Sequence, residues 1–214
     1  SGGNVVASTF PTDDHQKLLD AGEEFVHIDG HELTVVTEDR PGVFSRVAGT
    51  LALHGVDILE AQLRTEGGLA LEVMRVGGGI GLEERPAQVE DDIRLALAGR
   101  LAVRARLLER ARTYRFQRIT TARPSTPQVI IDNELSSSST VLEVRGPDSI
   151  GLLYRITRAM ADLDLDIVSA KIQTLGDDVV DSFYVRDAAG EKVTDGDYLR
   201  EIEMAVLSAV ARDA

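Results

Sequence analysis

The chain states one pattern twice, 109 residues apart, and this repeat limits what it can fold into. Residues 33–67 read L-T-V-V-T-E-D-R-P-G-V-F-S-R-V, and then V-D-I-L-E-A-Q-L-R-T-E-G; residues 142–176 read L-E-V-R-G-P-D-S-I-G-L-L-Y-R-I, and then L-D-I-V-S-A-K-I-Q-T-L-G. Laid without a gap, 31–76 on 140–185, the copies share 12 identical positions of 46, Asp39/Asp148, Gly42/Gly151, Arg46/Arg155 and Asp57/Asp166 among them. About a third of the other pairs exchange one apolar residue for another. A single large domain would not need such a repeat, so 214 residues read as two modules of about 100 residues each.

Periodicity assigns the elements. His31–Thr37 is apolar and β-branched, a strand; Val43, Phe44, Val47 and Leu51 recur with a helical period, with Asp39 or Arg40 at the N-cap and Pro41 in the first turn. Asp57–Thr65 and Leu69–Val76 are strands joined by Glu66-Gly67-Gly68, a hairpin signal. A helical stretch starts at Pro86, breaks at Gly99 and resumes over Leu101–Arg115, and Gln128–Asn133 reads as the first copy's fourth strand. The second copy repeats the order: strand Thr140–Arg145, helix Ile150–Ala161, strands Asp166–Thr174 and Val179–Val185, and a last helix over Asp197–Ala211. Its missing fourth strand could come from Phe25–Ile28 or from another chain. The fold class is therefore α+β: two ferredoxin-like βαββαβ domains, antiparallel sheets with helices on one face. Residues 1–30 are expected to be a leader, 31–134 the first domain, 135–139 a linker and 140–214 the second domain.

Composition narrows the partners. A net charge of −13 argues against nucleic acid, whose binding needs a basic surface to displace counterions. The longest apolar runs fall far short of the roughly 20 residues of a membrane span. No cysteine is present, consistent with the cytoplasm. The chain opens Ser-Gly-Gly rather than with methionine, which suggests a piece of something longer.

The chemically suggestive element is a strand, then Asp-x-x-Gly, then a helix. It occurs at Asp39–Gly42 and Asp148–Gly151. A helix N-terminus offers N–H groups and partial positive charge to an anion, and glycine removes the Cβ that would keep a ligand off the backbone. The candidate ligand-binding residues are thus Asp39, Arg40, Pro41, Gly42, Val43 and Phe44 in the first turn, and Asp148, Ser149, Ile150, Gly151, Leu152 and Leu153 in the second. Asp57 and Ile58, with Asp166 and Ile167, open the strand that follows in each copy; their carboxylates could hold an ammonium. Arg46 and Arg155, one turn into each helix, read as surface salt bridges.

Asp39-Arg40-Pro41-Gly42, followed by Gly55-Val56-Asp57-Ile58, resembles the ACT domain, a regulatory module that binds amino acids. In the second copy Ile150 replaces the proline and Asp164 the glycine before the strand. A longer resemblance runs through Asp39–Gly55, Val129–Glu134 (V-I-I-D-N-E) and Gly151–Tyr184 (G-L-L-Y-R…S-A-K-I…G-D-D-V-V-D-S-F-Y). These stretches look like the C-terminal end of the bifunctional uridylyltransferase/uridylyl-removing enzymes, which modify the P-II nitrogen signal protein. The resemblance implies tandem ACT domains that sense glutamine or a similar amino acid and that contact the catalytic domains of a parent chain. It also implies a parent that uses magnesium or manganese and a nucleoside triphosphate, and it leaves uridylyl against adenylyl transfer open. Homo-oligomers are a further possibility. Neither a Gly-Ser plus paired-aspartate nucleotidyltransferase motif nor an adjacent His-Asp pair occurs here, so the fragment itself is expected to be no enzyme and to hold no cofactor. The alternative is an interaction or dimerisation module with no small ligand. Arg94, Arg100, Arg104, Arg106, Arg110, Arg112, Arg115 and Arg118 could dock an acidic partner or simply form a solvated helix face.

Overall fold

The computed structural model describes residues 9–115 and 125–211. The elements in chain order are α1 (Asp13–Ala21), β1 (Phe25–Asp29), β2 (Glu32–Glu38), α2 (Val43–Leu53), β3 (Asp57–Glu66), β4 (Leu69–Gly77), α3 (Ile80–Glu84), α4 (Pro86–Leu97), α5 (Val103–Arg115), β5 (Gln128–Asp132), β6 (Thr140–Pro147), α6 (Leu152–Asp162), β7 (Asp166–Lys171), β8 (Thr174–Leu175), β9 (Asp178–Arg186) and α7 (Gly196–Ala211). The strands form one antiparallel sheet in the order β1-β2-β4-β3-β7-β9-β6-β5, with β8 paired to β9.

Both copies contribute to this sheet in mirrored order. They meet where β3 pairs with β7, through Glu60 opposite Lys171, Ala61 opposite Ala170 and Gln62 opposite Ser169. Ala61 and Ala170 are themselves the repeat partners, so a local two-fold axis runs between them and the seam is self-complementary in the way of a symmetric dimer interface. Inside each copy the register also repeats, Leu33 opposite Met74 and Leu142 opposite Phe183. Even the bulges match, at Leu59 and at Val168.

The expected fourth strands are exchanged. Gln128–Asp132 pairs with β6 of the second copy, and Phe25–Asp29 pairs with β2 of the first. Each unit is therefore ββαββα, its edge strand preceding the others instead of following the last helix. Gly30 explains the first case: Asp29 pairs with Glu32, so the loop is Gly30-His31, and Gly30 supplies φ +58° at the first loop position of a tight hairpin. In the second copy residues 133–139 form the longer hairpin connection, where Asp132 accepts from the N–H groups of Glu134 and Leu135. The serine run is thus a turn between two paired strands, with Ser139 buried. The single strand expected over Asp166–Thr174 breaks at Ile172-Gln173, because the Ile172 N–H donates across the seam to the Leu59 carbonyl.

The helices α2, α4, α6 and α7 share one core with the sheet; Val47, Leu51, Ile93, Ile156, Met160 and Ile202 bury against Leu33, Met74, Leu142 and Phe183. Two helices were not anticipated, α1 and the short α3. α1, capped by Thr12 and His15, lies on the opposite face, where Leu19 covers Val36, Leu71 and Val73. α2 and α6 also touch each other, and α5 packs on α2. Their crossing is tight at Gly49, where a Cβ would stand 2.5 Å from Val103 Cγ1 and 2.8 Å from Tyr154 Cδ2. No helix of the described residues is long and apolar enough to cross a membrane.

Candidate ligand clefts at the seam

The mirrored sheet sets each Asp-x-x-Gly turn against the strand start of the other copy. In the first cleft, about 370 Å³, Asp39–Ser45, Leu63–Thr65 and Ala70–Glu72 face Thr157, Ala161, Asp164–Ile167 and Asp187. In the second, about 460 Å³, Asp148–Tyr154, Ile172, Thr174, Val179 and Asp181 face Gly55–Leu59, with Ala48 and Ala52 of α2. Both volumes fall within the roughly 300–1,000 Å³ usual for small-molecule sites. All sixteen candidate residues line one cleft or the other, and the partnership crosses between copies: Asp39–Phe44 share a cleft with Asp166 and Ile167, whereas Asp148–Leu153 share theirs with Asp57 and Ile58.

The turns differ from expectation in their caps. α2 starts at Val43 and α6 at Leu152; their N-caps are Gly42 and Gly151, left-handed at φ +85° and +75°, and no side chain caps either helix. Asp39 and Arg40 are therefore not the N-cap. The Asp39 N–H donates to Gly68 O, and the Asp148 N–H donates to Asp177 O, which anchors each turn to the β-hairpin beside it. A Cβ at Gly42 would meet Ser45 Oγ at 3.2 Å and Arg158 Nη1 of the other copy at 3.3 Å, so the turn is close-packed as well as left-handed. The proline and glycine exchanges leave this shape alone. Asp164 holds the left-handed conformation, φ +54°, at the place where Gly55 has +67°.

Two acids missed in the sequence occupy equivalent places on β4 and β9. Glu72 and Asp181 are 2% and 1% exposed and lie on the helix side of the sheet, in step with Met74 and Phe183. Burial, and then Asp39 and Asp166, push the Glu72 carboxyl up to about 8. Burial lifts Asp181 to about 7, opposed by the Gln173 N–H that its Oδ1 accepts at 3.2 Å and reinforced by Asp148. Glu72 Oε2 has no hydrogen-bond partner. At the rims, partial burial raises Asp57, and burial with Asp39 raises Asp166, an effect that Arg186 offsets. The sequence did carry a signal for Glu72 and Asp181: an acid aligned with an acid inside an otherwise apolar strand.

The clefts are not identical. α5 reaches only the second, where Leu107 covers Gly151 at 3.3 Å from a would-be Cβ and Arg110 and Tyr114 join the lining. Arg110 donates to Leu53 O at the end of α2, lies 5.8 Å from the Tyr114 ring centre, and keeps its Nε buried without a partner. Arg94 likewise bonds Val26 O besides Glu90 and Asp91, so two of the arginines tie helices to main chain, while Arg100, Arg104, Arg106 and Arg112 are exposed. Arg118 lies outside the described residues. Arg46 forms no ion pair among the described residues, and both it and Arg155 reach main chain. Arg46 donates to Ala96 O and Leu97 O, and Arg155 to Ala209 O, each joining the first turn of one helix to the carbonyl end of another, where a cation is favoured.

Comparison with known proteins accords with this geometry. The ACT domain model matches residues 31–89, and the ACR family N-terminal ACT domain model matches residues 135–213. The chain is 40% identical over 187 residues to the bifunctional uridylyltransferase/uridylyl-removing enzyme of Rhodospirillum rubrum, covering 85% of this chain and 20% of that protein. It is 39% identical over 186 residues to the enzyme of that name from Azospirillum brasilense, and 40% over 184 residues to that of Gluconobacter oxydans. The chain spans about a fifth of the length of these curated relatives. Repeat, topology and family match agree: both copies belong to the ACT domain family.

Proposed function

We propose that the chain is the glutamine-sensing regulatory part of a P-II protein nucleotidyltransferase and nucleotidyl-removing enzyme. The observation that supports this best is the crossed pairing of each glycine-capped turn with the other copy's aspartate. Ligand in such a cleft touches both copies at once. Its α-carboxylate would accept from N–H groups around Gly42 or Gly151, and its ammonium would donate to Asp39 and Asp166, or to Asp148 and Asp57. Each charge-assisted bond contributes roughly 1.5–3 kcal/mol. Three or four, less the cost of immobilising the ligand, give roughly millimolar to micromolar affinity, suited to an abundant metabolite.

The regulatory step is a population shift. Ligand favours one arrangement of the two copies, and the change available to the catalytic domains is limited by its difference in affinity for the two arrangements. Metal and nucleoside triphosphate belong to those domains. Titration calorimetry with glutamine, with glutamate and asparagine as controls, tests the reading. Saturable heat with glutamine, weakened at least tenfold by Gly42→Ala together with Gly151→Ala, supports it; no heat with any of the three leaves only an interaction module.

A further inference from the structure

Glu72 has a feature that the turn-and-aspartate reading leaves unused. It is 2% exposed, it lines the first cleft, and its Oε2 lacks any hydrogen-bond partner. Leaving a buried carboxyl oxygen unpaired is costly, and such a cost persists only where something offsets it. The repeat supplies an internal control. Asp181, at the equivalent position, is one methylene shorter and already accepts the Gln173 N–H. Shortening the acid and satisfying it from the strand removes the unpaired oxygen in the second cleft; keeping the longer acid retains it in the first.

We propose that Glu72 determines the specificity of the first cleft by accepting an N–H of the ligand's side-chain carboxamide. This rests on the amino-acid-sensing reading and deepens it. With the turn around Gly42 at one side and Asp39 and Asp166 at the rim, the buried floor is the place for the far end of the side chain. A carboxamide brings two N–H donors there. A carboxylate brings none, and it adds negative charge beside Asp39 and Asp166, the same two groups that help to keep the proton on Glu72. The cleft thereby separates glutamine from glutamate, molecules of nearly the same shape. Rejection of this kind is strong because a mismatched ligand leaves a buried polar group unpaired.

The test is titration calorimetry of the whole chain and its variants with glutamine and glutamate. Glu72→Leu should weaken glutamine at the first cleft at least tenfold. Glu72→Gln, which keeps the shape, the neutrality and the accepting oxygen of a protonated Glu72, should hold glutamine and its preference over glutamate within a few fold. Asp181→Asn should leave that preference unchanged. A Glu72→Leu chain that binds glutamine within twofold of the unaltered chain, or a Glu72→Gln chain that loses glutamine tenfold, overturns the proposal while the sensing reading stands. An unaltered chain that binds neither amino acid sinks both.

Discussion

At the scale of single residues the molecule tolerates two buried acids that a purely structural core would exclude. Glu72 carries the sharper consequence, because its folded-state value near 8 lies above the ordinary 4.5 of an unfolded glutamate. Between these values the folded chain keeps a proton that the unfolded chain has released, so stability falls as pH rises through the window and the loss is complete only above about 8. Asp39 and Asp166 strengthen the effect. Asp181 adds a second slope that ends near 7. Urea midpoints should therefore decline between about pH 5 and pH 8.5, and Glu72→Gln should flatten that decline and raise the midpoint at the alkaline end. A midpoint as pH-dependent in the variant as in the unaltered chain would show that Glu72 is ionised when folded. Sequence pattern found the glycine turns because repetition marked them; it passed over Glu72 because an acid in an apolar strand looks like solvent-facing alternation until the neighbouring strands are in place.

Elements show where local signals suffice and where they do not. The strands β2, β3 and β4 and helices α2 and α6 were legible, since each carries its own periodicity and its own copy as a check. The edge strands were misassigned because the offset changes: Val26 and Val129, which pair with Val35 and Val144, are 103 residues apart instead of 109. The six-residue difference lies in the hairpin loops, so no ungapped alignment reaches past it. Gly30 was the usable cue. α1 escaped notice because it buries only Leu19, too little for a stripe. Helix crossing was equally invisible, although it yields a direct prediction at Gly49. Gly49→Ala puts a methyl where Val103 and Tyr154 already stand, and overpacking of that kind costs about 1–3 kcal/mol. Chemical denaturation should register the loss, and Val103→Ala in the same chain should recover part of it. Full additivity of the two substitutions would mean that the helices adjust without strain.

The two candidate clefts exist only because the halves share a sheet. Neither cleft exists in one copy, as each needs a turn from one half and a strand start from the other, and the halves are joined by the β3–β7 pairing and the α2–α6 contact. That pairing is short, three residue pairs around Ala61 and Ala170, against seven between β2 and β4. Few paired residues make the seam a natural place for the halves to shift, and ligand lying across it would resist the shift. Free ligand at a hundred times its dissociation constant stabilises a single-site protein by about 2.7 kcal/mol. Glutamine at that excess should accordingly raise the thermal midpoint. It should also slow amide exchange at Gln62, Ser169 and Lys171 on the seam more than at β5, which lies at the far edge of the sheet. Protection confined to the turns around Gly42 and Gly151, with the seam exchanging as before, would separate binding from any movement of one half on the other. The population-shift mechanism would then have no hinge to act through.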